Sequence, residues 1–153
     1  MPCIWGRHDR SQVFLGVAVV EDSFVDHLAP ASSAVENVSF KVYKGLIDTG
    51  AQSTCITRRV AEELKLAPIG KLTIRGVSGT SFHNQYVFKV AFPFRLAAPR
   101  EEMPRGRLHV VDKSINGIEL GAADGEFDVL LGMDIIGLGS LKIDGDGSFS
   151  FSF

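Results

Sequence analysis

Asp48 is the residue whose type and setting could do chemistry. It stands in KGLIDTGAQST, residues 44–54, directly behind the apolar pair Leu46 and Ile47 and ahead of Thr49, Gly50 and Ala51. Aspartate is among the residues least often buried without a partner, and it is poor in strands. An aspartate that ends an apolar strand therefore either opens a turn or is held there for its carboxylate. The tripeptide alone does not separate these readings, because tight turns favour the same residue types. Held for chemistry, the carboxylate would move protons, activating a water or donating to a carbonyl oxygen.

No other residues cluster as convincingly. Four scattered histidines and two cysteines, Cys3 and Cys55, match no metal-ligand spacing and make no disulfide framework, so neither a metal nor a cofactor is expected. Cys55 reads as a redox-sensitive thiol or, more simply, a small core thiol, with a Cys3–Cys55 disulfide as the minor alternative. His83 reads as an exposed hairpin histidine that could touch a substrate. DGDG, residues 144–147, lacks the remaining ligands of a calcium loop and reads as a turn. Asp134, in GMD, is the nearest rival acid; its place at a helix start predicts capping instead.

Several elements must position Asp48. VFLGVAVV, residues 13–20, follows Arg7 and Arg10 and loosely imitates a signal peptide, but Glu21 and Asp22 come at once, so a strand is expected. VSFKVYKGLI sets Val38, Phe40 and Val42 against Ser39, Lys41 and Tyr43, a period of two that predicts one strand ending at Asp48. In CITRRVAEELKL, Ile56, Val60, Ala61 and Leu64 recur at helical spacing, with Thr57 as cap and Pro68 as stop. Two strand-like arms, residues 71–75 and 80–90, flank Gly76-Val77-Ser78-Gly79, whose glycines predict a hairpin tip with positive φ angles. Residues 95–107 read as an exposed loop, LHVV as a strand, and DKSINGIELGAADGE as a second loop turning at Asn116-Gly117. FDVLLG predicts a short buried strand, MDIIGLGSL one or two helical turns, and the Ser/Phe alternation of the last residues a final strand.

The order of these parts resembles the single-domain, retroviral-type (retropepsin-like) aspartic peptidases. The matching stretches are LIDTGA, RGVSGTS and VLLGMDII, within about residues 38–143. The first and third are specific in combination; the middle one rests on position and glycines. The resemblance implies an all-β fold, a closed acid-protease barrel with one or two short helices and a glycine-tipped flap hairpin. It implies that Asp48 is catalytic and that Thr49 braces two active-site loops through its hydroxyl. Gly50 would let the backbone approach the carboxylates and donate N–H bonds, Ala51 would support the active site, and Leu130, Leu131 and Gly132 would pack beneath the Asp48 loop. Gly76, Val77, Ser78 and Gly79 would form a flap closing over an extended polypeptide substrate.

Such hydrolysis needs two carboxylates sharing one proton and one water, and this chain has one D-T-G. The resemblance supplies the second acid from a homodimer with one Asp48 per subunit, and the apolar terminal strands offer edges that could pair across it. The expected organisation is one domain over residues 1–153, with about residues 1–11 as a disordered tail. A net charge of −2 gives no electrostatic reason to expect nucleic acid or an anionic membrane. No apolar run reaches the roughly 20 residues of a membrane helix, and the sparse cysteines favour a soluble protein of the reduced cytoplasm. The N-terminal forty residues and the stretches 97–107 and 112–126 exceed a minimal retroviral enzyme. Two other readings stay open: a non-catalytic peptide-binding module on the same fold, and an interaction or assembly protein.

Overall fold

Alternation of apolar and polar residues is the dominant local signal, and the chain answers it with strands. The computed structural model describes residues 2–9, 11–25, 34–38, 40–76, 79–94, 106–121 and 126–153. These form β1 (Cys3–Arg7), β2 (Val13–Glu21), β3 (Ala34–Val38), β4 (Tyr43–Ile47), β5 (Cys55–Thr57) and α1 (Arg58–Glu63). They continue as β6 (Gly70–Gly76), β7 (Gly79–Phe94), β8 (Gly106–Val110), β9 (Ile115–Leu120), β10 (Val129–Leu131), α2 (Met133–Ile136), β11 (Ser140–Ile143) and β12 (Ser148–Ser152). The class is all-β with two short helices and a hairpin bearing Gly76 and Gly79, as expected.

The pairings of the larger sheet run in a closed circuit: β2 to β4, β10, β5, β9 and β7, with β7 returning to β2. β7 makes the closure possible by its length. Its first half pairs with β6 and β9, and its second half pairs with β2 and β8. Val17, Tyr43, Ile56, Phe88, Phe92, Val129 and Leu131 fill the interior. A separate three-stranded sheet holds β12 between β1 and β11. Phe149 and Phe151 of β12 enter the main core while its serines face away, so the Ser/Phe alternation works as read.

Five expectations need correction. Residues 3–7 are not a tail; they form β1 against β12. Residues 38–47 are two elements, not one strand, and the phase is reversed: Tyr43 is buried while Val42 is exposed. Tyr43 wins the inward place because its ring fills core volume while its hydroxyl reaches Glu63. Cys55–Thr57 is a strand before the helix starts, and Thr57 stands at the cap without a side-chain bond to it. Asn116-Gly117 is not a turn but lies inside β9, opposite Val87 and Tyr86. Gly117 is there for close approach: a Cβ would strike the Phe88 ring and come 2.9 Å from the Thr54 carbonyl oxygen. Finally, β12 offers no free edge, because it lies between β1 and β11, whereas β2 pairs along one edge at each point, first with β4 and then with β7. The predicted loop at residues 95–107 lies largely outside the described residues.

One buried charge ties several of these strands together. Glu119 of β9 is 4% exposed and accepts from Arg58 Nε at 2.8 Å, Tyr86 Oη at 2.8 Å and Asn84 Nδ2 at 3.2 Å. Burial alone would raise its pKa, but the bonds from Arg58, Tyr86 and Asn84 outweigh burial and lower it. A lowered folded-state pKa means stability that is present above the ordinary carboxylate range and lost as pH falls through the folded value. Glu119→Gln is therefore expected to cost about 2 kcal/mol at neutral pH, or about 4–8 °C in Tm. Thermal unfolding of both proteins across pH checks this: the gap should shrink in acid, and a gap independent of pH would contradict it.

Candidate active site

The Asp48 loop is set by a short parallel pair. β10 lies beside β4 in the register Val129↔Gly45, Leu130↔Leu46 and Leu131↔Ile47, so the two apolar strands end at the same level. The Asp48 N–H donates to the Leu131 carbonyl at 3.0 Å, which carries the pairing one residue into the loop. The loop then folds on itself. The Gly50 N–H donates to Asp48 Oδ1 at 2.8 Å, and the Ala51 N–H to the Asp48 carbonyl at 3.2 Å. A side chain at position 50 would begin 3.1 Å from Asp48 Oδ1. Asp48 is half-buried, and among the described residues the Gly50 N–H is the one polar group bound to its carboxylate.

The far side of the loop is clamped to α2. The Met133 N–H donates to the Ala51 carbonyl at 2.8 Å, and the Asp134 N–H to the Gln52 carbonyl at 3.2 Å. In return the Asp134 carboxylate accepts the Thr54 N–H at 3.0 Å and the Thr54 hydroxyl at 2.7 Å. Thr54 Oγ1 accepts the Gly132 N–H at 3.1 Å, and Thr54 is fully buried. Gly132 has to be glycine, because a Cβ there would lie 2.6 Å from the backbone carbon of Ser53. Thus Leu131 and Gly132 touch the loop at Asp48 and Ser53, while Leu130 pairs with Leu46 and Cys55.

Other predicted residues fall differently. Thr49 is exposed and makes no side-chain hydrogen bond among the described residues, whereas Thr54 does the clamping within the chain. Nothing in the sequence singled out Thr54, since a threonine in a small polar run carries no local signature. Asp134 does not cap its own helix: Gly132 is the capping residue, and the Asp134 carboxylate serves the neighbouring loop. Cys55 and Cys3 are free thiols. Burial first, and the nearby Asp134 charge as well, push the Cys55 thiol up, which suits a core thiol and not a reactive one. The hairpin brings Gly76 opposite Gly79, and Gly79 has φ of +129°, a conformation that favours glycine. Val77 and Ser78 lie outside the described residues. No hydrogen bond joins the hairpin glycines to the Asp48 loop among the described residues. No group of three or more potential metal ligands occurs there either.

The fold is mostly β, and its one D-T-G loop is held against an apolar-apolar-Gly strand end. The chain belongs to the aspartyl protease family, whose model matches residues 34–135. Its fold is also similar to that of a retropepsin-like aspartic protease from Rickettsia conorii, at 16% identity over 98% of this chain and 89% of that chain, with a TM-score of 0.48. No curated protein matches the chain. No helix of the described residues is long and apolar enough to cross a membrane.

The clamp separates bracing from acid chemistry at position 134. Asp134→Ala leaves two Thr54 donors without acceptors and should lower stability by about 2–4 kcal/mol. Asp134→Asn keeps an acceptor oxygen there and should retain most stability and any peptidase activity. Denaturant unfolding and a peptide-cleavage assay check both variants; loss of activity in a well-folded Asp134→Asn would make Asp134 a reacting acid.

Proposed function

We propose that the protein is an aspartic endopeptidase whose water is activated by two Asp48 carboxylates, one from each subunit of a homodimer. The observation that carries this reading is the division of labour between the two acids near the loop. Asp134 is consumed by Thr54, while Asp48 keeps one carboxylate oxygen free of partners among the described residues. One chain then supplies one available carboxylate, and the chemistry needs two.

At the two-fold axis the two Asp48 side chains would share a single proton, because like charges that close cannot both ionise. The protonated acid donates to the scissile carbonyl oxygen while the ionised one takes a proton from the water that attacks the carbonyl carbon. The Gly50 N–H, bound to Oδ1, orients each carboxylate before substrate arrives. Thr49, exposed in one protomer, is free to reach the partner's loop and brace the pair. The hairpin ending in Gly76 and Gly79 is the flap in this reading. It would lie over an extended polypeptide and exclude water, with Val77 and Ser78 at its tip.

Asp48→Asn tests the assignment, since asparagine has nearly the size of aspartate but cannot exchange the shared proton. The variant should unfold at or above the wild-type temperature and lose degradation of an unstructured protein across acidic to neutral pH. Activity retained by the folded, purified variant would contradict the assignment and leave a non-catalytic peptide-binding cleft as the reading to pursue.

A further inference from the structure

Outside the Asp48 loop, one hydroxyl in the hairpin is held as a nucleophile would be. Ser81 and His83 are two residues apart on β7, so they share a face. It is the face opposite Tyr86 and Phe88, whose side chains are in the core. Ser81 is exposed and His83 half-buried. The His83 ring is fixed at both nitrogens: Nδ1 lies 2.7 Å from the Glu119 backbone carbonyl oxygen, and Nε2 lies 2.7 Å from Ser81 Oγ. A carbonyl oxygen can only accept, so Nδ1 carries the hydrogen. In the neutral ring Nε2 is then the lone-pair nitrogen, and the Ser81 hydroxyl donates to it. Nucleophile, base and orienting group stand in the order that activates a hydroxyl.

Two other serines offer a contrast within the same molecule. Ser11 Oγ donates to Asp9 Oδ1 at 2.7 Å, and that bond together with the Gln12 and Ser11 N–H groups holds the Asp9 pKa at about 2. Ser148 Oγ donates to Asp146 Oδ1 at 2.6 Å, and Asp146 is likewise lowered, chiefly by that bond. Carboxylates this acidic are poor general bases; an imidazole is a far better one near neutrality.

We propose that Ser81 is an acyl-accepting site on the outer face of the hairpin, with His83 as its general base and an activated ester as the acyl donor. Ser81 Oγ attacks the ester carbonyl carbon as its proton passes to His83 Nε2. The new Oγ–C bond forms, the bond from carbon to the leaving oxygen breaks, and the leaving oxygen takes the proton from Nε2. The imidazole returns to its starting tautomer and nothing is oxidised or reduced. The site is independent of the Asp48 carboxylate.

The test uses the full chain carrying Asp48→Asn, which removes any self-digestion and reads the same whether or not Asp48 is catalytic. The protein is treated with p-nitrophenyl acetate at neutral pH, quenched and digested, and acetylation is followed site by site by mass spectrometry. Ser81 is expected to acetylate at least about a hundredfold faster than Ser11 or Ser148, the lower end of what general-base help contributes. Added to this background, His83→Ala should reduce Ser81 to the rate of those serines. His83→Asn, which can keep a donor towards the Glu119 carbonyl but has no base, should do the same and guards against a folding defect. A Ser81 rate equal to that of Ser11, or one unchanged by both substitutions, would overturn the proposal.

Discussion

The bond between the Asp134 carboxylate and Thr54 is the constraint on which the rest of the site depends. It joins two segments eighty residues apart in sequence and fixes Thr54 so that its oxygen can accept the Gly132 N–H. With Gly132 pressed on the Ser53 backbone, β10 can end level with β4, and the Leu131 carbonyl can receive the Asp48 N–H. The hydrogen bonds among these steps join buried or half-buried groups, where a missing partner costs more than a made bond contributes. A loop of small residues is thereby given one conformation, although it has little apolar surface of its own to bury.

Much of this was legible in the sequence, and the parts that were not share a cause. LIDTGA and VLLGMDII were readable because apolar residues, an acid and glycines at fixed offsets are local signals. β10, α2 and the hairpin arms follow from patterns within a few residues. The failures are long-range. Asn116-Gly117 looks like a turn from its neighbours alone, yet Phe88 and Thr54 make position 117 a place for close approach inside a strand. Tyr43 displaced Val42 from the core because its hydroxyl has Glu63 to meet, twenty residues on. The clamping role of Thr54 was not legible because only the D-T-G has a sequence signature. The partner that makes Thr54 important is remote.

The family's match ends at residue 135, so β1, β2, β11 and β12 lie outside it. Those strands are nonetheless committed within the chain. β2 completes the circuit of the larger sheet, and β12 sits between β1 and β11. The expectation that the terminal strands offer edges to a second copy therefore fails for β12, which has a neighbour on each side. In the smaller sheet the outer edges belong to β1 and β11. A homodimer of the proposed kind has to bring two Asp48 loops together without borrowing β12.

The proposed need for a second copy is the most exposed claim, and mixing subunits tests it directly. Wild-type protein is allowed to exchange with a large excess of Asp48→Asn subunits, exchange is confirmed by mass-tagged subunits, and proteolysis is measured. If each active site takes one carboxylate from each chain, mixed dimers carry a single acid and wild-type homodimers become scarce. Activity should then fall towards zero as the mutant excess rises. Activity that persists in proportion to the wild-type protein present would place the second acid within the same chain and contradict the account.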